Sequence, residues 1–313
     1  MQEPLAETAP TTRPDHDKDR RAPADALVVR FWGVRGSLPS PGADTAVVGG
    51  NTACVEVTGG GSRVILDAGS GLRALGDELV ARGEHERTTL LLSHVHWDHV
   101  MGLPFFAPLY MSGSAIQLVS GAVPGMSLHD VLAAQMVKPL FPVPFEVVSS
   151  RVRTVELPER ARVAFGALTV TTAVLNHPDP VIAYRIDYAG RSVVYATDTE
   201  HVEGRVDARL VELCRGADLL IYDAQYTPEE YRGEVGPSKR GWGHSTYEAG
   251  VDVARAASVK TLALFHHDPR RSDAQVSEIV QRSRAIFPST VAAREAVSLR
   301  FEAASYRCDL APR

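Results

Sequence analysis

Short apolar runs punctuated by glycine- and proline-rich turns set the pattern of this chain. Leu27–Trp32 reads as a strand that stops at the loop Gly33-Val34-Arg35-Gly36-Ser37-Leu38-Pro39. Thr52–Thr58 and Arg63–Asp67 read as strands joined by the turn Gly59-Gly60-Gly61. Gly69-Ser70-Gly71 then leads into a helix with apolar positions at Leu72, Leu75 and Leu79. Thr88–Ser93 is the next strand. The second half echoes this order, with strands over Leu168–Leu175, Val181–Tyr188, Ser192–Ala196, Asp218–Tyr222, Thr261–Phe265 and Val297–Phe301. Helices are predicted over Tyr247–Ala257 and Ala274–Phe287. Strands and helices mix without the regular alternation of a barrel, which suits two sheets with helices outside both, an α/β (α+β) architecture. A coarse two-half symmetry is compatible with the pattern.

Residues 1–26 depart from it. They are rich in Pro, Asp, Arg and Thr, poor in large apolar residues, and contain no apolar signal core, so they are expected to be a disordered tail preceding one domain over residues 27–313. No run approaches the ~18 apolar residues that cross a membrane, and a cytoplasmic protein is expected. The three cysteines, Cys54, Cys214 and Cys308, are scattered and suggest no disulfide framework. An apolar content of 44% supports a substantial core, and a net charge of −5 argues against a wide basic face for long nucleic acid while leaving a small phosphorylated substrate open.

Candidate chemistry gathers at one strand end. In Ser93-His94-Val95-His96-Trp97-Asp98-His99, four metal-capable side chains follow a buried apolar run. Side chains of a strand alternate, so His94 and His96 point the same way and can grip one ion. A turn into helix would swing Asp98 and His99 aside to grip a second. Further along, His177, Asp198 and His266 each stand just past a predicted strand. Residues at a common edge of two sheets can converge in space.

The order HxHxDH, a distant His, a distant Asp and a final His resembles the metallo-β-lactamase superfamily, and Leu66-Asp67-Ala68-Gly69-Ser70-Gly71 matches that superfamily's DxGxG turn. The resemblance implies a four-layer αββα sandwich. It also implies that His94, His96 and His177 hold one metal, that Asp98, His99 and His266 hold a second, and that Asp198 bridges. His267 rivals His266 for the last position. Asp67 is expected to brace the metal loop by hydrogen bonds. Two ions about 3.5–4 Å apart can share a bridging hydroxide that serves as nucleophile at neutral pH. Zinc suits the imidazole-rich set, with manganese or iron as alternatives.

A second cluster bears on the substrate. Gly243-His244-Ser245-Thr246 precedes the helix Tyr247–Ala257, and Ser245 with Glu248 fits a capping box. A helix N-terminus there would favour an anion. The segment resembles the histidine loop of the superfamily's phosphodiesterase branch, which includes the tRNA 3′-processing endonucleases. That resemblance makes His244 the group that contacts the scissile phosphate and protonates the leaving oxygen, with Asp223 as its orienting partner and Asp98 also among the catalytic groups. Phe31-Trp32-Gly33-Val34-Arg35-Gly36-Ser37, Gly49-Gly50-Asn51-Thr52 and Phe265-His266-His267-Asp268-Pro269 resemble bacterial metallo-hydrolases similar to class II cyclic-nucleotide phosphodiesterases.

The expected activity is therefore hydrolysis of a compact phosphodiester, a cyclic nucleotide or a short oligonucleotide. Acyl hydrolysis, RNA-processing endonuclease activity and a non-catalytic metal-stabilised binding role stand as alternatives. Arg35 is open to a phosphate contact or a surface salt bridge. The segment Gly233–Gly243, carrying Lys239, Arg240 and Trp242, is open to being a mobile lid with a base-stacking indole or a plain loop. Pro104-Phe105-Phe106 and Phe141–Phe145 are open to roles as pocket wall, homodimer contact or core.

Overall fold

The computed structural model describes residues 26–303. Residues 1–25 of the expected tail and Cys308 lie outside those residues, whereas Ala26, expected in the tail, is buried as the first residue of a strand. Fourteen strands occur among the described residues, at Ala26–Gly33 (β1), Cys54–Gly59 (β2), Ser62–Leu66 (β3), Arg87–Leu91 (β4), Ala115–Ser120 (β5), Val152–Glu156 (β6), Arg162–Phe165 (β7), Leu168–Leu175 (β8), Val181–Tyr188 (β9), Arg191–Ala196 (β10), Leu219–Asp223 (β11), Thr261–Phe265 (β12), Thr290–Ala292 (β13) and Ser298–Glu302 (β14). They form two seven-stranded sheets, in the orders β14-β1-β2-β3-β4-β5-β6 and β13-β12-β11-β10-β9-β8-β7. Each sheet starts antiparallel and turns parallel, in β3 to β6 and in β10 to β13. The half-to-half echo in the sequence is thus a real repetition of sheet topology, with β14 returning to close the first sheet against β1.

Eight α-helices accompany the strands among the described residues: Gly71–Ala81 (α1), Trp97–Val100 (α2), Leu128–Gln135 (α3), Glu146–Ser149 (α4), Ala208–Cys214 (α5), Pro228–Arg232 (α6), Tyr247–Ala256 (α7) and Asp273–Ile286 (α8). Three apolar clusters define four layers. Val29, Phe31, Val55, Leu66 and Leu91 meet Tyr184, Val193, Tyr195, Ile221 and Phe265 between the sheets. Leu72, Leu75 and Leu79 of α1 cover the outer face of the first sheet with Leu90, Ile116 and Leu132. Leu210, Val251, Ala254, Ile279 and Val280 of α5, α7 and α8 cover the second. This is the αββα sandwich expected.

The segment between His99 and His177 divides its roles. Phe106 and Phe145 are buried against the α1 layer, whereas Phe105 is exposed and meets Phe141 edge-on at 5.6 Å between ring centroids. The same segment supplies β5 and β6, extending the parallel sheet beyond what the apolar pattern shows.

Parallel strands end together, and the loops beyond those ends are laced by backbone bonds. Ala68 N–H donates to His99 O at 2.7 Å and Gly102 N–H to Ala68 O at 2.9 Å. The contact requires glycine: a Cβ on Gly102 would overlap the Gly69 carbonyl, and one on Gly69 would overlap the Asp98 carbonyl. Gly102→Ala is therefore expected to destabilise the protein by about 2–3 kcal/mol, since the obstruction is backbone rather than a yielding side chain. Urea denaturation checks this, and a midpoint within error of the parent would show that the two loops are not packed as described.

Candidate metal centre

Strand ends build this site. Asp67 follows β3, Ser93 and His94 follow β4, His177 follows β8, Asp198 follows β10, Asp223 closes β11 and His266 follows β12. Three of these residues, Asp67 (φ 60°), Asp198 (φ 51°) and His266 (φ 58°), take the left-handed backbone conformation that non-glycine residues seldom adopt. Such strain persists where surrounding structure holds it, and it concentrates at functional sites.

All seven residues expected to bind metal converge. His94, His96 and His177 each offer a donor within 4.8 Å of the others, as do Asp98, His99 and His266, and as do His94, His99 and Asp198. Asp198 also groups with Asp223, His244 and His266. The choice between the adjacent histidines is decided by orientation. His266 Nε2 lies 3.1 Å from Asp98 Oδ2 and 3.3 Å from Asp198 Oδ2. His267 points away, its Nε2 bonded to Ala293 O at 3.1 Å, and burial holds its imidazole down at about 3, helped by the charge of Arg35.

The hydrogen bonds around the centre leave lone pairs facing inward. Asp67 Oδ2 can only accept, so His99 Nδ1, 2.7 Å away, carries the proton. Gln225 Oε1 accepts likewise from His266 Nδ1 at 2.9 Å, with the amide oriented by the bond of its NH2 to Tyr226 OH. The two Nε2 atoms then meet at 3.2 Å, beside carboxylate oxygens of Asp98 and Asp198. His94 Nε2 is buried with no hydrogen-bond partner and lies 3.8 Å from Asp198 Oδ1. The inward-facing nitrogens and carboxylates therefore call for positive charge among them, either a bound cation or a second proton on an imidazole.

The titration of these groups reports the same field. Burial alone would lower His99, but Asp98, Asp198 and Asp67 together raise it well above the ordinary imidazole range. Asp98 is held far below the usual carboxylate range despite its burial, by the charges and hydrogen bonds of His99 and His266. His94 is pushed down by burial and by His99. The donor set, imidazole with carboxylate, is that of divalent transition metals, and the residues present fit such ions.

Of the supporting residues only Asp67 carried a sequence signal. Asp67 accepts from Ser93 N–H at 2.6 Å, Ser93 Oγ at 2.8 Å and Tyr195 OH at 2.6 Å besides His99, which gives it the bracing role expected. Asp179 reaches His96 Nε2 with its carboxylate at 2.9 Å, and its carbonyl lies 2.9 Å from His177 Nδ1. Gln225 and Tyr195 sit in apolar strands or beside them, where nothing in the pattern marks them. Ser37 N–H donates to Asp98 Oδ2 at 2.7 Å.

Beside the cluster, His244 Nδ1 bonds Asp223 Oδ2 at 2.9 Å, the pairing expected. Its ring stacks on His266 at 5.1 Å and 27°. Burial disfavours its charge, but Asp223 reverses this through charge and hydrogen bond and raises it to about 9. The expected capping box is corrected. Thr246, not Ser245, caps α7, accepting from Ala249 N–H, and Ser245 is buried between Tyr222 OH at 3.0 Å and His201 Nδ1 at 2.9 Å. His244 therefore stands ahead of the helix terminus, and a carboxylate, not the helix dipole, governs it.

Two open readings are narrowed. Arg35 is fully buried and not at the surface, with its Nη2 4.0 Å from Asp273 Oδ1. Its guanidinium donates to the carbonyls of Gly49, Asp268 and Arg271 and so ties the 33–37 loop to the His266 loop. The 233–243 segment is tied to Glu200. Glu200 accepts from Gly241 N–H at 2.6 Å, Gly243 N–H at 2.9 Å and Tyr231 OH at 2.8 Å.

Residues 62–267 match the model of the β-lactamase superfamily domain. The chain belongs to the metallo-β-lactamase superfamily. A ribonuclease Z from Synechococcus sp. (strain WH7803) is 28% identical over 67% of this chain and 78% of its own length. The metallo-β-lactamase fold protein YhfI from Bacillus subtilis superposes with a TM-score of 0.67 at 16% identity, over 88% of this chain and all of its own. A diphosphatase from the PhnP family follows at 0.61 and 19%, over 88% of this chain and 98% of that one. The fold of the metallo-β-lactamase superfamily implies divalent metal ions. No helix among the described residues is long and apolar enough to cross a membrane.

Tyr195→Phe removes one donor from the fully buried Asp67. It is expected to cost about 1.5–3 kcal/mol in chemical denaturation, the range for a hydrogen bond to a buried charge. No measurable loss would show that the bond between the sheets carries none of the stability.

Proposed function

We propose that this protein is a metal-dependent hydrolase that cleaves a phosphodiester, a cyclic nucleotide or a short oligonucleotide. The observation that carries the reading is the His244–Asp223 pair, 2.9 Å apart and stacked against the metal cluster. His94, His96 and His177 would hold one divalent ion, Asp98, His99 and His266 a second, with Asp198 between them. Zinc suits the set best. When bound, such ions supply Lewis acidity, lowering the pKa of water and drawing off charge that gathers on phosphoryl oxygens.

The chain's own residues do the rest. Asp223 fixes His244 Nδ1–H, which leaves Nε2 to face the leaving group. Through its charge and hydrogen bond Asp223 favours the protonated form of His244, which then holds a proton to give. Water supplies the oxygen that bonds phosphorus, the ester P–O bond breaks, and the departing oxygen takes the His244 proton. Asp67, Ser93, Gln225 and Asp179 hold the imidazoles in their tautomers and orientations. The ribonuclease Z relative and the PhnP-family diphosphatase support cleavage at a phosphate.

Two outcomes follow. His244→Ala is expected to lower turnover of bis(p-nitrophenyl) phosphate by about 10²–10⁴-fold while elemental analysis finds the metal content unchanged; equal turnover would remove His244 from the mechanism. Asp223→Asn removes the charge that raises His244, so the proton is lost at lower pH. The alkaline limb of kcat against pH should then move toward neutrality, and a limb that stays in place would assign it to another group.

A further inference from the structure

Beside His244 the pinned 233–243 segment presents an indole to solvent. Trp242 is 55% exposed, a large aromatic left in water two residues from the proton donor. Its face is not free of charge. Lys239 Nζ stands 4.0 Å from the Trp242 ring centroid and 5.6 Å from that of Tyr226, and the Tyr226 ring lies 5.9 Å from His244. The ammonium thus sits between the exposed indole and the ring that backs the catalytic histidine. Among the described residues Lys239 makes no ion pair, whereas its neighbour Arg240 is paired with Glu203 at 2.7 Å.

The backbone under these side chains is fixed. Glu200 holds the N–H groups of Gly241 and Gly243. Both glycines are left-handed, at φ 81° and 85°, and Gly243 packs so close to His177 that no Cβ fits. Lys239 N–H donates to Tyr231 O at 3.1 Å. A rigid aromatic plane with an adjoining unpaired cation is the usual composition of a single-stranded nucleic-acid subsite, where a base stacks and a phosphate is neutralised. Trp242 lies two residues before His244, and through Lys239 its ring is joined to Tyr226, whose ring lies 5.9 Å from His244.

We propose that Trp242 and Lys239 form the subsite for the nucleoside on the leaving side of the scissile phosphate, which makes the substrate a single-stranded oligonucleotide rather than a bare or cyclic diester. The inference rests on the phosphodiesterase reading for its position relative to the reaction, but its binding component is testable without turnover.

The probes are adenylyl-(3′,5′)-adenosine and the same diester lacking the leaving-side base, used with metal-loaded protein. The base-bearing diester should quench tryptophan fluorescence in the parent. Trp242→Leu should remove most of that quench and raise KM for this diester about tenfold, as loss of one stacked base does, with kcat little changed. The same variant should leave KM for the base-free diester within about twofold of the parent, and Trp242→Phe should restore most of the affinity. Lys239→Ala should weaken binding of both diesters, more so at low salt. Persistence of the quench in Trp242→Leu, or equal losses on both diesters, would overturn the proposal. Parent protein that cleaves neither diester would sink the phosphodiesterase reading, and the fluorescence titration would still decide whether a base stacks on Trp242.

Discussion

One buried carboxylate ties this structure together. Asp67 follows β3 of the first sheet, yet its oxygens accept from the Ser93 amide and hydroxyl, from His99 of α2 and from Tyr195 of the second sheet. Most of the contact between the sheets is apolar and indifferent to small sliding, with Tyr184 OH to Leu92 O at 2.6 Å and Ile182 N–H to Ser93 O at 2.9 Å as further polar ties near the rim. A charge-assisted bond is not indifferent, since its strength falls off within a few tenths of an ångström and a few tens of degrees. Asp67 therefore fixes the register of one sheet against the other at the rim where all the functional side chains stand. It also sets the tautomer of His99, so the same oxygen that positions the sheets aims a nitrogen lone pair at the centre.

The convergence at that rim follows from parallel pairing. Parallel strands end side by side, and the crevice beyond their carboxyl ends collects whatever residues follow them. This is why reading the chain for His and Asp just past apolar runs found His94, His177, Asp198 and His266, and why all four come together although they are far apart in sequence. The left-handed turns at Asp67, Asp198 and His266 sharpen the effect: each strand stops abruptly and throws its next side chain across the rim.

What the sequence shows depends on burial. β8 alternates buried and half-buried positions and β12 is an apolar run, and both were legible to the residue. The edge strands β6 and β7 are short and have no fully buried position, so Val152–Glu156 and Arg162–Phe165 carried no strand signal. The cap of α7 was misplaced by one residue because Ser245 and Thr246 are both good caps. Tertiary bonds to Tyr222 and His201 take Ser245 out of contention. Arg35 misled for a related reason: a guanidinium in a Gly-rich loop looks exposed until three carbonyls from distant loops are brought around it. Hydrogen bonds of long sequence separation leave no local pattern.

Because its members are contributed by both halves of the chain, the centre exists only after the two sheets have docked. Neither half carries a usable fraction of it: the first supplies His94, His96, Asp98 and His99, the second His177, Asp198, Asp223, His244 and His266. The centre is thus a property of the packed pair and not of either sheet, so any change that loosens the packing at the rim also spreads the metal donors apart.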